Sequence, residues 1–144
     1  GEPVYTSEKE IRALLGKWIG SYQQADFYRW AIIEKQSNQN IGQIAFCRVY
    51  SDCSTAEVEY CIGRDYWGRG YAPEALRAII RFAFSTGDFE RIEAYHRVEN
   101  EKSSRVLQKS PMHLTKNIQR FVREETDPEG EICYCIEKAE YTEE

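Results

Sequence analysis

The sequence predicts an α/β protein whose mixed sheet is organised around one strand-helix-strand crossover. Residues 56–62 alternate, placing Val58, Tyr60 and Ile62 on one face and Glu57, Glu59 and Cys61 on the other. Residues 73–86 then carry Leu76, Ile79, Ile80, Ala83 and Phe84 at helical spacing behind a leading Pro73. Residues 91–98 return as a strand, and two strands joined through a helix pair in parallel.

The remaining elements follow from the same reasoning. Ser7 and Glu10 have capping-box spacing ahead of Ile11, Leu14, Leu15, Trp18 and Ile19, which predicts an amphipathic helix over 7–22. The aromatic and β-branched run 28–34, the turn residues 37–40 and the apolar run 41–49 predict a hairpin. Beyond the crossover, 100–109 reads as a short helix halted by Pro111. Two last strands are predicted over 113–124 and 131–139, flanking the turn residues 127–130. No repeat or Pro/Gly linker divides the chain, so residues 1–144 read as a single domain.

Composition narrows the function. With 42% hydrophobic and 30% charged residues, the 144-residue chain has an ordinary globular balance and one sizeable core. Its apolar runs are too short for a membrane span or a signal-peptide core. The net charge of −5 is uneven: 124–144 holds nine acidic residues against Lys138, leaving +3 for the other residues. No continuous basic stripe neutralises a row of phosphates, so nucleic acid is a poor partner. Cys47, Cys53, Cys61, Cys133 and Cys135 fit neither a zinc site nor a disulfide framework, which argues for no metal and for a reducing, cytoplasmic compartment. His96 and His113 are isolated and support no nucleophilic triad.

The stretch between the strand and the helix carries the chemistry. Gly68 and Gly70 can take positive φ, which turns backbone N–H groups toward one point, and the following helix adds its N-terminal dipole. Such a loop suits a phosphate or pyrophosphate, although a plain strand-to-helix turn also uses glycine. Pro73 stands where a dinucleotide fingerprint requires Gly or Ala, and there is no Gly-Lys-Ser/Thr for a Walker loop.

The run 59–76, containing Tyr66-Trp67-Gly68-Arg69-Gly70-Tyr71-Ala72-Pro73-Glu74-Ala75, resembles the GNAT N-acetyltransferases when taken with Arg91-Ile92-Glu93-Ala94 and Asn100-x-x-Ser103-x-Arg105-Val106-Leu107-x-Lys109. Within them it is similar to the ribosomal-protein N-terminal acetyltransferase branch, over residues 5–140. The resemblance implies acetyl-CoA as co-substrate and a primary amine as acceptor, either a protein N-terminus or a small polyamine or aminoglycoside. It implies that the amides of Gly68, Arg69, Gly70, Tyr71 and Ala72, with Trp67, hold the pyrophosphate. The backbone of Cys61, Ile62 and Gly63 would pair with the pantetheine arm, Asn100 and Ser103 would face the thioester end, and Arg105 and Lys109 would lie near the adenosine phosphates. Asn100 is equally explained as the N-cap of its helix, with Ser103 at N3.

The chemistry needs a donor for the oxyanion, a proton for the departing thiolate and a base for the protonated amine. Ser103 or a tyrosine answers the second need. Glu57 and Glu59 are the best-placed bases, on the strand face opposite the apolar set, although a solvated sheet face explains them as well. Glu124 and Glu125 form a second candidate pair. Cys61 reads as an inert strand cysteine, which leaves direct transfer without an acyl-enzyme.

Two departures from the branch are expected to matter. Its usual first strand has no counterpart in the sequence, so the hairpin's outer edge is expected to be bare, which makes a homodimer plausible. Lys109-Ser110-Pro111-Met112 replaces the branch's Lys-Leu-Gly-Phe, so the junction after the helix should differ. A non-catalytic CoA-binding module on the same fold is the alternative reading, and a nucleotide-binding protein is a third.

Overall fold

In the computed structural model, residues 3–5, 11–16 and 28–142 are described. Eight strands form one sheet in the order β1-β2-β3-β4-β5-β6-β8-β7. They are β1 (Pro3–Tyr5), β2 (Ile11–Gly16), β3 (Tyr28–Glu34), β4 (Gln39–Tyr50), β5 (Thr55–Ile62), β6 (Arg91–Arg97), β7 (His113–Leu114) and β8 (Glu131–Glu137). Every neighbouring pair is antiparallel except β5 and β6, which are joined through α1 (Tyr71–Thr86). The predicted hairpin is β3 and β4, and the predicted crossover is β5-α1-β6.

One stripe of α1 packs on the sheet. Leu76, Ile79, Ile80 and Ala83 are buried against Ile44, Ala56, Val58, Ile92 and Ala94, the alternating residues of β4, β5 and β6 that share its side. Trp30, Phe46 and Phe89 extend this core through edge-to-face ring contacts, with Trp30 and Phe46 centroids 5.3 Å apart. The short helix α2 (Glu101–Gln108) is fastened by Leu107, its one buried residue.

Three expectations need correcting. Of the helix predicted over 7–22, Ile11–Gly16 is strand β2, paired antiparallel with β3, and the rest of that prediction lies outside the described residues. Apolar spacing in a short run does not distinguish the two states, and the open hydrogen-bonding edge of β3 selects the strand. That edge is therefore covered by β2 and then β1 rather than bare, which removes the sequence-based reason for a second copy there. Thirdly, the strand predicted over 113–124 is the two-residue β7 followed by the helix α3 (Gln119–Arg123). The side chain of Glu93 in β6 accepts the backbone N–H of Gln119 at 3.0 and 3.2 Å and so anchors the helix start, a contact 26 residues distant.

Candidate active site

Strands β5 and β6 are paired over only three registers, Thr55 with Arg91, Ala56 with Ile92 and Glu57 with Glu93. Beyond them β5 runs on to Ile62 and β6 to Arg97 without pairing to each other, so the sheet opens in a wedge. At its mouth lies a cavity of about 620 Å³. Strand β5 contributes Tyr60, Cys61 and Ile62, the loop and the start of α1 contribute Tyr66, Trp67, Gly68, Gly70, Tyr71, Ala72 and Pro73, and the α2 side contributes Asn100, Lys102, Ser103, Arg105, Val106 and Lys109.

Backbone alternation decides which groups of β5 face the wedge. The N–H of Gly63 donates to the Ile41 carbonyl at 2.8 Å, so it points toward β4. By the period of two, the polar groups of Cys61 point the same way, and those of Tyr60 and Ile62 point into the gap. The Ile62 carbonyl accepts the Trp67 indole N–H at 2.8 Å, consistent with that direction. Gly63 is thus engaged within the sheet, Cys61 offers only its side chain, and the backbone of Tyr60 with the N–H of Ile62 faces the gap.

Gly68 and Gly70 have φ of 80° and 81°, and a Cβ at either would meet nothing within 4 Å. The loop is open, and glycine serves the backbone conformation rather than a close approach. Gly70 is the N-cap of α1, so the first-turn N–H groups of Tyr71 and Ala72 are exposed toward the cavity, and Pro73 has none to offer. Arg69, by contrast, turns away. Its guanidinium lies 3.3 Å from the Glu34 carboxylate and 5.3 Å from the Tyr66 ring centre, and Glu34 also accepts the Tyr71 hydroxyl at 2.5 Å. The loop is therefore tied to the end of β3, and Arg69 does not line the cavity.

On α2, Asn100 is the N-cap and its Oδ1 accepts the Ser103 N–H at 3.1 Å. Capping thus accounts for Asn100, while Asn100 and Ser103 both also line the cavity. Tyr60 lines the cavity with Ser103, and its hydroxyl is pushed above its ordinary pKa first by burial. The Lys102 ammonium sits 3.5 Å from the Trp67 ring centre, and Trp67 is 43% exposed.

Glu57 and Glu59 open on the other face of the wedge, away from this cavity. Glu59 is exposed. Glu57 is 2% exposed, and its Oε1 has no hydrogen-bond donor among the described residues. A β-bulge in β4 skips Cys47 and sets Arg48 opposite Glu57. The Arg48 Nε is 3.7 Å from Glu57 Oε1, and the Cys47 thiol donates toward Oε2 at 3.6 Å. Burial raises the Glu57 carboxyl above its ordinary value, opposed first by the charge of Arg120 and then by that of Arg48. The Cys47 thiol is pushed up to about 12 by desolvation and by the Glu57 and Glu59 charges, so it serves as a donor and not as a nucleophile. Glu124 and Glu125 follow α3 on the surface, and both are exposed.

The cavity-lining residues that sequence reasoning missed are Tyr60, Tyr66, Pro73, Lys102 and Val106. Tyr60 had a signal, since it shares the Val58 and Ile62 face of β5, and Lys102 is one helical turn before the predicted Arg105. No group of three His, Cys, Asp or Glu side chains among the described residues could hold a metal.

A strand, a positive-φ glycine loop, a helix N-terminus and a wedge between parallel strands form one open cleft suited to an extended, phosphate-bearing ligand. A family model described as Acetyltransferase (GNAT) domain matches residues 2–113, and the chain belongs to that family. The chain is 35% identical over 79 residues to the uncharacterized N-acetyltransferase p20 of Bacillus licheniformis, across 55% of this chain and 44% of that one. The match thus spans less than half the length of that relative. A GNAT-family acetyltransferase structure from Bacillus anthracis superposes with a TM-score of 0.64 and 26% identity, covering 85% of this chain and 72% of that one. RimL, a ribosomal alpha-N-protein acetyltransferase, shares the fold with a TM-score of 0.75 at 16% identity, covering 94% and 98% of the two chains.

Proposed function

We propose that this chain transfers the acetyl group of acetyl-CoA to a primary amine by direct attack. The observation that carries the reading is that one cavity joins the unpaired edge of β5 to the N-terminus of α1, in a chain of the GNAT family. The N–H groups around Gly68, Gly70, Tyr71 and Ala72 receive the pyrophosphate, where the α1 dipole favours negative charge. Lys102, Arg105 and Lys109 add positive charge along the cavity wall for the remaining phosphate. The pantetheine arm extends the sheet at Tyr60 and Ile62.

The acceptor enters from the Glu57 side as an ammonium. Glu57 takes one proton and frees the lone pair, which attacks the thioester carbonyl carbon and forms the C–N bond. The tetrahedral oxyanion then collapses, the C–S bond breaks, and Ser103 protonates the thiolate, its hydroxyl being restored through solvent by the proton that Glu57 took. The amine's second proton leaves to solvent, so acetyl-CoA and an ammonium yield an N-acetyl amide, CoA and one proton. An acceptor α-amine on a protein is supported by the fold shared with RimL, an alpha-N-protein acetyltransferase. We read the chain as one catalytic domain. No helix among the described residues is long and apolar enough to cross a membrane, and the five cysteines are free, which supports a reducing compartment.

Thermal unfolding with acetyl-CoA, CoA or NAD tests the cavity. Ligand at about 100 times Kd adds roughly 2.7 kcal/mol, a shift of several degrees. Stabilisation by both CoA species and none by NAD is expected, and no response to either CoA species overturns the reading. Glu57→Gln then separates an enzyme from a binding module: acetyl-CoA still binds, while amine-dependent thiol release falls by about 100-fold or more.

A further inference from the structure

The face of the wedge opposite the cavity holds two charged groups that the fold leaves incomplete. Glu57 is buried, and its Oε1 accepts no hydrogen bond among the described residues, with only the Arg48 Nε near it at 3.7 Å. Arg120, on α3, is held in place by aromatic groups and makes no ion pair within 4 Å among the described residues. Its guanidinium carbon lies 4.0 Å from the Tyr95 ring centre and 4.7 Å from that of Phe121, and its Nη1 donates to the Tyr95 hydroxyl. The neighbouring arginines differ: Arg48 lies on Glu57, and Arg123 grips Asp52 at 2.6 and 2.7 Å. Tyr95 follows Glu93 by two residues on β6, and Glu93 is in register with Glu57, so Glu57, Glu93 and Tyr95 share this face. Glu93 is already engaged by Arg91 and by the start of α3. Glu57 and Arg120 each carry the electrostatic imprint of the other.

A buried carboxylate oxygen that accepts no hydrogen bond, on the same face as an oriented guanidinium with donors to spare, is complementary to a ligand bearing both an amine and an oxygen acceptor. We propose that Arg120 is a specificity-determining residue that selects acceptors with a carbonyl or carboxylate oxygen next to the amine, the α-amino acyl class, and rejects polyamines. Glu57 takes the amine N–H, Arg120 takes the neighbouring oxygen through its planar fork, and a polycation meets repulsion from the same guanidinium. The inference rests on the acetyl-transfer reading and narrows its acceptor.

The test compares alanyl-alanine with spermidine in an acetyl-CoA thiol-release assay, using the wild-type chain, Arg120→Gln and Arg120→Lys. The wild type is expected to favour the dipeptide by at least about tenfold in kcat/KM. Arg120→Gln raises the dipeptide KM by about tenfold, leaves acetyl-CoA affinity unchanged and spares or improves spermidine. Arg120→Lys recovers part of the dipeptide activity. An unchanged dipeptide-to-spermidine ratio in Arg120→Gln overturns the proposal, as does a parallel loss for both acceptors with weakened acetyl-CoA binding, which marks a merely structural role. If neither acceptor turns over, calorimetric titration of both onto wild type and Arg120→Gln decides, and equal or absent binding of the two overturns it. Absence of acetyl-CoA binding counts against the acetyl-transfer reading alone, since the titration needs no CoA.

Discussion

Alanine at the glycines of the loop and the sheet separates backbone strain from steric exclusion. At Gly70, φ is 81° and a Cβ would meet nothing within 4 Å, so Gly70→Ala costs only the left-handed conformation, roughly 1–2 kcal/mol. For a chain of this size that lowers Tm by about 4–8 °C. Gly68→Ala, at φ 80° in equally open space, should match it. At Gly42 a Cβ would lie 2.1 Å from the Cys61 carbonyl oxygen and 3.0 Å from the Ile62 Cα, both backbone. Relief there requires β4 and β5 to part, so Gly42→Ala should cost more than about 3 kcal/mol and lower Tm by more than about 12 °C. The assay is calorimetric unfolding of the three variants with and without acetyl-CoA. Each loop variant should also weaken acetyl-CoA by about tenfold, because relaxing φ to negative values turns N–H groups away from the pyrophosphate. Equal Tm loss at Gly42 and Gly70, or undiminished acetyl-CoA affinity in both loop variants, would refute the reasoning.

Two further outcomes follow from the geometry. Burial raises the Glu57 carboxyl, so the folded state binds its proton more tightly than the unfolded chain, and stability falls as pH rises from the unfolded value near 4.5 through the folded one. Glu57→Gln should therefore be at least as stable as wild type at pH 7 and lose that advantage near pH 4, read by urea unfolding at both pH values; a variant that is relatively weaker at pH 7 contradicts the assignment. Leu107→Ala removes the one buried anchor of α2 and should cost roughly 2–5 kcal/mol, with acetyl-CoA binding weakened beyond that of an equally destabilised core variant such as Ile80→Ala.

Much of the fold was legible because its signals are local. Period-two alternation in β5, the helical stripe of α1 and turn residues between β3 and β4 each lie within one element, and hairpin and crossover stand as predicted. The failures came where partners are distant in sequence. Ile11–Gly16 carries spacing compatible with a helix, and the edge of β3 makes it a strand. The segment after β7 coils into α3 because Glu93, 26 residues earlier, receives its first N–H. The candidate site divides in the same way. Gly68, Gly70, Tyr71, Ala72, Asn100, Ser103, Arg105 and Lys109 sit in two contiguous motifs and line one cavity, whereas the diversion of Arg69 to Glu34 joins residues 35 apart.

By itself the sequence determined the order of the central elements, the positive-φ glycine loop ahead of a helix and the absence of a continuous basic stripe, because each depends on residue types and spacings within a few turns of chain. Only the tertiary structure decided where β5 and β6 cease to pair, which backbone groups of Tyr60 and Ile62 face the gap, and that Glu57 and the Tyr95 that holds Arg120 share one face of the sheet. Those facts depend on register and on side chains dozens of residues apart, and local periodicity carries no information about either.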